Sequence, residues 1–272
     1  MKPEPLPPQL RHGLLERFTI EEVREFRPEV LVIPLGSTEP HGPHLPYGTD
    51  AMIAEGTTAE SVRLANEAGA RVLRLPTLPY GNNVNFKGFP FACRIRVQTY
   101  LALIEDLVAF AHEEGVRKVV LFNAHGGNEA SLLASMRLIF DRFQQEMFVC
   151  LCGAHNFAGE ESRRLFTDGS PHAGDYETSV VAYLAPDARL AAKRRESPLR
   201  QPKLKALAEG RVAWVRPWHE FMPPAYAGQP DLASAEKGEQ FFRATTSGFA
   251  RFLTELNLEP WSPHFPYEDP RG

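Results

Sequence analysis

Glu39 and His41 stand two residues apart in Gly36-Ser37-Thr38-Glu39-Pro40-His41-Gly42-Pro43-His44-Leu45-Pro46-Tyr47-Gly48-Thr49-Asp50, a loop that adds a second imidazole and a second carboxylate. In a locally extended segment, side chains two apart project to the same side, so this pair can hold one ion or two neighbouring ones. Imidazole nitrogen and carboxylate oxygen are ligands that zinc, manganese and iron share. His125 lies in a second loop, Asn123-Ala124-His125-Gly126-Gly127-Asn128, whose glycines leave the ring accessible. A glycine turn of this kind can also cradle phosphate. Here, however, the G-x-G-x-x-G spacing and the P-loop lysine are both missing, which argues against a nucleotide.

A third cluster is His172 with Asp175 and Glu177. A neighbouring carboxylate would raise the pKa of His172 and let it shuttle protons. Glu177 stands either as a metal ligand or as an anchor for a ligand histidine. The competing reading of this cluster is a helix start decorated with acids for the macrodipole. His44 is expected to brace its loop, His12, His112 and His264 to lie at the surface, and His155 and His219 are left open.

If Glu39, His41, Asp50 and His125 meet, one shared carboxylate and solvent would complete two metal spheres. Such a pair activates water and polarises a carbonyl, the equipment of a hydrolase, and a single zinc with three ligands supports similar chemistry. The elements that must position these residues follow from hydrophobic pattern. The continuous apolar run at 29–35 predicts a strand covered on both faces and 118–122 a second strongly buried one; 71–75 reads as a further strand, and 147–152 as another that looks buried. Between them, helical periodicity predicts helices at about 19–26, opened by a Thr19/Glu22 capping box, 51–68, 97–111 and 130–143. Alternating strands and helices predict an α/β fold with a mainly parallel sheet and helices on both sides. Ligands in such sheets bind outside the carboxyl ends of the strands, where both the Glu39 and the His125 loops fall.

Residues 155–240 are less regular. A helix is expected through about Leu184 and a last one from about Leu232, while 193–229 reads as a lid or an interface. The Pro-rich residues 1–17 read as an arm over the surface or a neighbouring subunit. No repeat or linker divides the chain, so residues 1–272 are expected to form a single domain.

A net charge of −4 offers no electrostatic case for nucleic acid or a membrane as partner. No apolar run reaches the ~18 residues of a membrane span. The first residues lack the apolar core of a signal peptide, and 3 cysteines are too few for a disulfide framework. A cytoplasmic protein acting on a small molecule is expected, with Cys150 and Cys152 packed in a buried strand.

From Val30 to Gly248 the chain resembles the creatininase, or creatinine amidohydrolase, family. The motifs that carry the resemblance are 36–50, 123–128, His172-Ala173-Gly174 with Glu177-Thr178-Ser179, and Asp231-Leu232-Ala233-Ser234-Ala235-Glu236-Lys237-Gly238-Glu239. The resemblance implies a three-layer α/β/α sandwich and two divalent metal ions, Zn2+ with Mn2+ or Fe2+ as alternatives. It further implies hydrolysis of a C–N bond, other than a peptide bond, in a small cyclic amide or formamide, and assembly as a homo-oligomer up to a hexamer. By position, Glu39 and His125 would hold one ion and His41 the other, Asp50 would bridge, and His172 would handle protons. Creatininase has a further metal-binding glutamate two residues after the histidine matching His125, where this chain has Gly127. Glu177 is the candidate replacement. Phe86 and Pro90-Phe91-Ala92 also depart from the pattern of many relatives, which turns the reading away from creatinine itself. Asn82 to Asn85, Arg94, Trp214 and Trp218 are candidates for shaping the substrate pocket. The alternatives are a hydrolase of an oxidised cyclitol and a non-catalytic metal-binding assembly protein.

Overall fold

The computed structural model describes residues 6–169, 172–188, 199–262 and 264–268. Its centre is a sheet of four parallel strands, β1 (Val30–Leu35), β2 (Val72–Arg74), β3 (Lys118–Asn123) and β4 (Phe148–Cys152), in the order β2-β1-β3-β4. Side chains alternate across the strands, and the two faces bury different partners. Val30, Val32, Val72, Val120 and Phe122 pack on one face. Leu31, Ile33, Leu73, Val119 and Leu121 pack on the other.

The first face is covered by α2 (Thr49–Glu67), α6 (Asp175–Leu184) and the long α9 (Ala235–Leu258), which packs against both. The short α5 (Gly159–Leu165), α7 (Lys205–Ala208) and α8 (Trp218–Phe221) lie between β4 and α9 in the chain. The second is covered by α3 (Val97–Glu113) and α4 (Glu129–Phe143), joined by Phe26 of the short α1 (Ile20–Phe26). The architecture is the expected three-layer α/β/α sandwich. Thr19 opens α1 with the expected capping box, and Ser234 caps α9 through the amide of Lys237. Among the described residues no helix is long and apolar enough to cross a membrane.

The sheet's two edges are treated differently. On the β2 side the N-terminal arm closes the sheet: Arg74 N donates to Gly13 O at 2.7 Å, and Leu14 forms a parallel bridge with Arg74. Leu6 and Leu10 of the same arm are buried in the second core. The described part of the arm therefore serves its own sheet, while residues 1–5 lie outside the described residues. On the other side, β4 is half-buried along its whole length, which corrects the expectation of a buried strand. Cys150 and Cys152 are packed against the first core all the same.

Gly238 fixes the approach of α9 to α6. A Cβ there would stand 2.0 Å from Ser179 O and 3.1 Å from the Tyr183 Cβ. Gly238→Ala should therefore force the helices apart and cost about 1–3 kcal/mol, the range for overpacking a tight contact. The check is a lower urea midpoint at an unchanged m-value; an unchanged midpoint would mean that the contact is not tight in solution.

Candidate metal centre

In the β1–β3 register Leu35 stands opposite Asn123, so the Glu39 and His125 loops leave the sheet side by side. Asn128 fastens them. Its Nδ2 donates to Gly36 O at 3.2 Å and to Asn123 Oδ1 at 3.1 Å, and its Oδ1 accepts from Asn82 N at 2.8 Å. Asn83 Nδ2 donates to Ser37 Oγ at 3.1 Å, and the Ser37 hydroxyl donates to Glu39 Oε2 at 3.3 Å. Sequence reasoning assigned Asn128 no role. Its signal was an amide side chain closing the glycine turn between two candidate loops.

The third cluster arrives with α6. His172 and Glu177 turn toward the loops, but Asp175 turns away. It accepts from Ser179 Oγ at 3.1 Å and pairs with Lys237 Nζ at 2.7 Å. The 231–239 motif thus docks α9 on the start of α6 and does not reach the centre. Pro171 of the His172 motif lies outside the described residues.

The six candidates converge, and all but the slightly exposed Glu177 are buried. His125 Nδ1 lies 3.0 Å from Asp50 Oδ2 and 3.3 Å from Glu39 Oε1. His41 Nε2 lies 3.1 Å from Asp50 Oδ1 and 3.9 Å from Glu177 Oε2. His172 Nδ1 is 3.8 Å from Glu39 Oε1, and its ring centroid is 4.3 Å from that of His41. Glu39, Asp50 and His125 form one group of potential ligands, and His41, Asp50 and Glu177 form a second that shares Asp50. Within each, the ligand atoms lie within 4.8 Å of one another; Glu39, His41 and His172 form a third such group.

Main-chain carbonyls fix the rings. His41 Nδ1 faces Glu39 O at 2.9 Å, His125 Nε2 faces Asn82 O at 3.2 Å, and His172 Nε2 faces Pro40 O at 2.9 Å. A carbonyl only accepts, so each of these nitrogens carries the proton and the opposite nitrogen is turned into the centre as a potential ligand. His44 braces the loop as expected, with Nε2 donating to Ala173 O at 2.9 Å. The amide of Ala173, held at a φ of 51°, donates to Glu177 Oε2.

The donor set suits divalent cations. Glu39 Oε1 and Asp50 Oδ2 are buried and accept no hydrogen bond of ordinary geometry, although His125 is close to both. Buried acceptors of this kind need a partner. The protonation equilibria say the same. Burial opposes charge on His41, but Asp50, Glu177 and Glu39 outweigh it and raise its pKa to about 9. His125 is likewise pushed well above the ordinary imidazole value, Glu39 and Asp50 overcoming its burial. Asp50 is held well below the carboxylate range, the two imidazoles overcoming its burial. Burial foremost pushes Glu177 up. The acids thus draw protons onto the rings where a divalent cation would otherwise supply the charge. The expected rise at His172 does not occur: burial and then the adjacent His41 hold it well below its ordinary value, and of the two carboxylates expected to raise it Asp175 faces Lys237 and Glu177 turns to His41.

Gly127, where the creatininase pattern has a glutamate, has no room for a side chain. A Cβ there would lie 2.4 Å from both Asn82 O and His125 Nε2. From α6, Glu177 Oε2 comes within 3.9 Å of His41 Nε2.

His125, His172 and Glu177 line one end of a cleft of about 720 Å3 that continues past His155 and Tyr176 along β4 and α4. The segment after residue 199 covers the centre. Phe86 and Trp218 pack on the ring of His172 with centroids 5.1 and 5.3 Å away, and Ala227 N donates to His172 O at 2.9 Å. Residues 193–198 of the expected lid lie outside the described residues. Trp214 does not line the cleft; it borders a separate surface pocket with Arg200 and Arg216. Arg94 is exposed and is likewise not part of the cleft.

An α/β/α sandwich with a carboxylate–imidazole centre at its strand exits is the build of a hydrolase. The chain belongs to the creatininase family, whose model, described as creatinine amidohydrolase, matches residues 16–253. It is 30% identical over 264 residues to a mycofactocin precursor peptide peptidase of Mycobacterium tuberculosis, covering 91% of this chain and 93% of that protein. It is 25% identical over 249 residues to the creatinine amidohydrolase of Pseudomonas putida, covering 83% and 89%. Among solved structures, a putative creatinine amidohydrolase from Bacteroides fragilis superposes with a TM-score of 0.83 at 27% identity, covering 95% of this chain and 99% of that one. Creatininase structures described as Mn and as Zn-Zn type share the fold with TM-scores of 0.74 and 0.73, each at 23% identity and covering 91% of this chain and 99% of theirs.

A cation entering this centre competes with protons. With the folded-state pKa of His41 raised to about 9, the ring is protonated below that pH and must lose its proton to become a ligand. Zinc affinity should therefore fall as the pH is lowered from 9 to 6, with protons released on binding. Titration calorimetry in two buffers of different ionisation enthalpy reads both, and a pH-independent affinity without proton release would place the metal elsewhere.

Proposed function

We propose that this creatininase-family hydrolase cleaves the C–N bond of an amide on two divalent ions, Zn2+ with Mn2+ or Fe2+ as alternatives. One ion would be held by Glu39, Asp50 and His125 and the other by His41, Asp50 and Glu177. The observation that carries the reading is the pair of ligand groups meeting at buried Asp50, with buried carboxylate oxygens of Glu39 and Asp50 lacking hydrogen bonds. Such a pair of ions, when bound, lowers the pKa of water and polarises a substrate carbonyl.

The chain's own residues supply the rest. His172 turns Nδ1 toward Glu39 while Pro40 O holds its other nitrogen, and its lowered pKa keeps the ring neutral at pH 7. A neutral ring can accept a proton at Nδ1 and return it to the departing nitrogen, as a general base and then a general acid. Phe86 and Trp218 exclude water from that ring and fix its plane. Ser37 and Asn83 orient Glu39, and the Ala173 amide orients Glu177.

Two substrate readings follow. A small cyclic amide or formamide fits the family's description and the resemblance to creatinine amidohydrolase. A peptide amide is favoured by the mycobacterial relative, a peptide peptidase over nearly its whole length. We read the protein as a homo-oligomer, up to a hexamer, to be checked by light scattering.

The test is hydrolysis by zinc-, manganese- and iron-loaded protein of creatinine, formamides, lactams, short peptides and oxidised inositols. Asp50→Ala should lose both ions and all turnover, whereas Glu177→Gln should retain one ion per chain by elemental analysis. His172→Gln should keep its metal and lose about 10²–10⁴-fold in kcat, the usual contribution of a positioned acid–base group. No turnover anywhere on the panel, with fewer than one tightly held ion per chain, would leave a non-catalytic assembly protein.

A further inference from the structure

We propose that the outer edge of β4 is a rail on which an extended peptide pairs its main chain and is led into the centre. The proposal rests on the amide-hydrolase reading and narrows its substrate to a peptide. Phe148 N donates to Arg117 O at 2.8 Å, so Phe148 turns its main-chain groups toward β3. Alternation along a parallel strand then turns Cys150 and Cys152 the same way and leaves the N–H and C=O of Val149 and Leu151 pointing outward. The next outward amide, at Gly153, is closed off by Asn156 Oδ1 at 2.7 Å. The rail thus ends beside the loop that follows β4, near the strand exits.

The edge lies inside the cleft rather than on open surface. Val149 to Gly153 line the cavity whose far end is His125, His172 and Glu177. Its walls are Leu133 and Met136 of α4 on one side and His155 and Tyr176 on the other. They suit side chains that alternate between the two faces of an added strand. At about 720 Å3 the cleft is at the large end of small-molecule pockets, which run about 300–1,000 Å3. A strand the length of β4 spans about 16 Å at the usual rise. The opposite edge of the sheet is already occupied by Gly13 and Leu14, so among the described residues β4 is the edge left to accept a strand. A second copy of the chain seated there would fill the approach to His125, which favours a substrate as the occupant.

The experiment measures kcat/KM for N-acetylated, C-terminally amidated Ala/Val peptides of two to six residues with the metal-loaded protein. The ratio of pentapeptide to dipeptide should be about tenfold or more, from a few added main-chain hydrogen bonds. N-methylation of alternate peptide amides should remove that gain. Leu151→Pro deletes one outward N–H without touching the bonds to β3, a change that edge positions accept. It should reduce the length advantage about fivefold at unchanged metal content. The N-methylated peptides test the same bonds on the unaltered protein should that variant fold poorly.

Length-independent turnover would overturn the rail and leave the hydrolase reading intact. So would a lower assembly mass for Leu151→Pro by light scattering, since it would make β4 a subunit contact. Should no amide be cleaved, the hydrolase reading fails separately. Fluorescence polarisation of a labelled hexapeptide then decides the rail alone, with at least fivefold weaker binding to Leu151→Pro expected and equal binding overturning it.

Discussion

Asp50 faces two imidazoles, one on each carboxylate oxygen, and this arrangement sets the terms for the rest of the fold. A buried carboxylate is tolerated only where opposite charge and hydrogen bonds surround it. His41 meets that need at one oxygen, 3.1 Å away; at the other, His125 at 3.0 Å supplies charge without a hydrogen bond of ordinary geometry, and the start of α2, where Asp50 sits in the first turn, adds the favourable end of a helix dipole. To bring these groups together, β1 and β3 must be neighbours in register and the exit of β1 must run against α2. Gly36 makes that approach possible, since a Cβ there would stand 2.7 Å from the Ala51 main chain.

The outer parts of the molecule then serve to hold the third contributor in place. α6 carries Glu177 to within 3.9 Å of His41, and α9 locks α6 by the Lys237–Asp175 ion pair. With Gly238 removing the last obstacle between the two helices, the distant 231–239 segment controls the position of a carboxylate it never touches. The 199–228 stretch works differently: its Phe221, Met222 and Ala227 form a small core of their own with Phe86 and Ala92, so it covers His172 as a separately packed unit.

Much of this was legible in the sequence, because the residues that carry it are of types that seldom cluster by accident. Glu39, His41, Asp50 and His125 announced themselves at strand exits, and apolar runs announced the strands, β2 with its Arg74 least plainly. What was not legible depended on tertiary placement. Asp175 and Glu177 are two apart in one helix turn, and nothing local says that the first turns to Lys237 and the second to His41. β4 reads like a buried strand, but its place in the sheet order, which no local pattern encodes, makes it an edge. Asn128 could be recognised as a tie only once the loops of β1 and β3 and the 82–83 turn were known to adjoin.

The orientation of the histidines has a consequence for how such a protein can change over generations. The acceptors that hold the rings of His41, His44, His125 and His172 are the main-chain oxygens of Glu39, Ala173, Asn82 and Pro40. Replacing a side chain does not delete a main-chain oxygen, so mutation in the covering segment can remodel what the cleft admits while the pattern of δ and ε ring nitrogens stays inherited. A scaffold so insulated can drift from one substrate to another without first losing its chemistry.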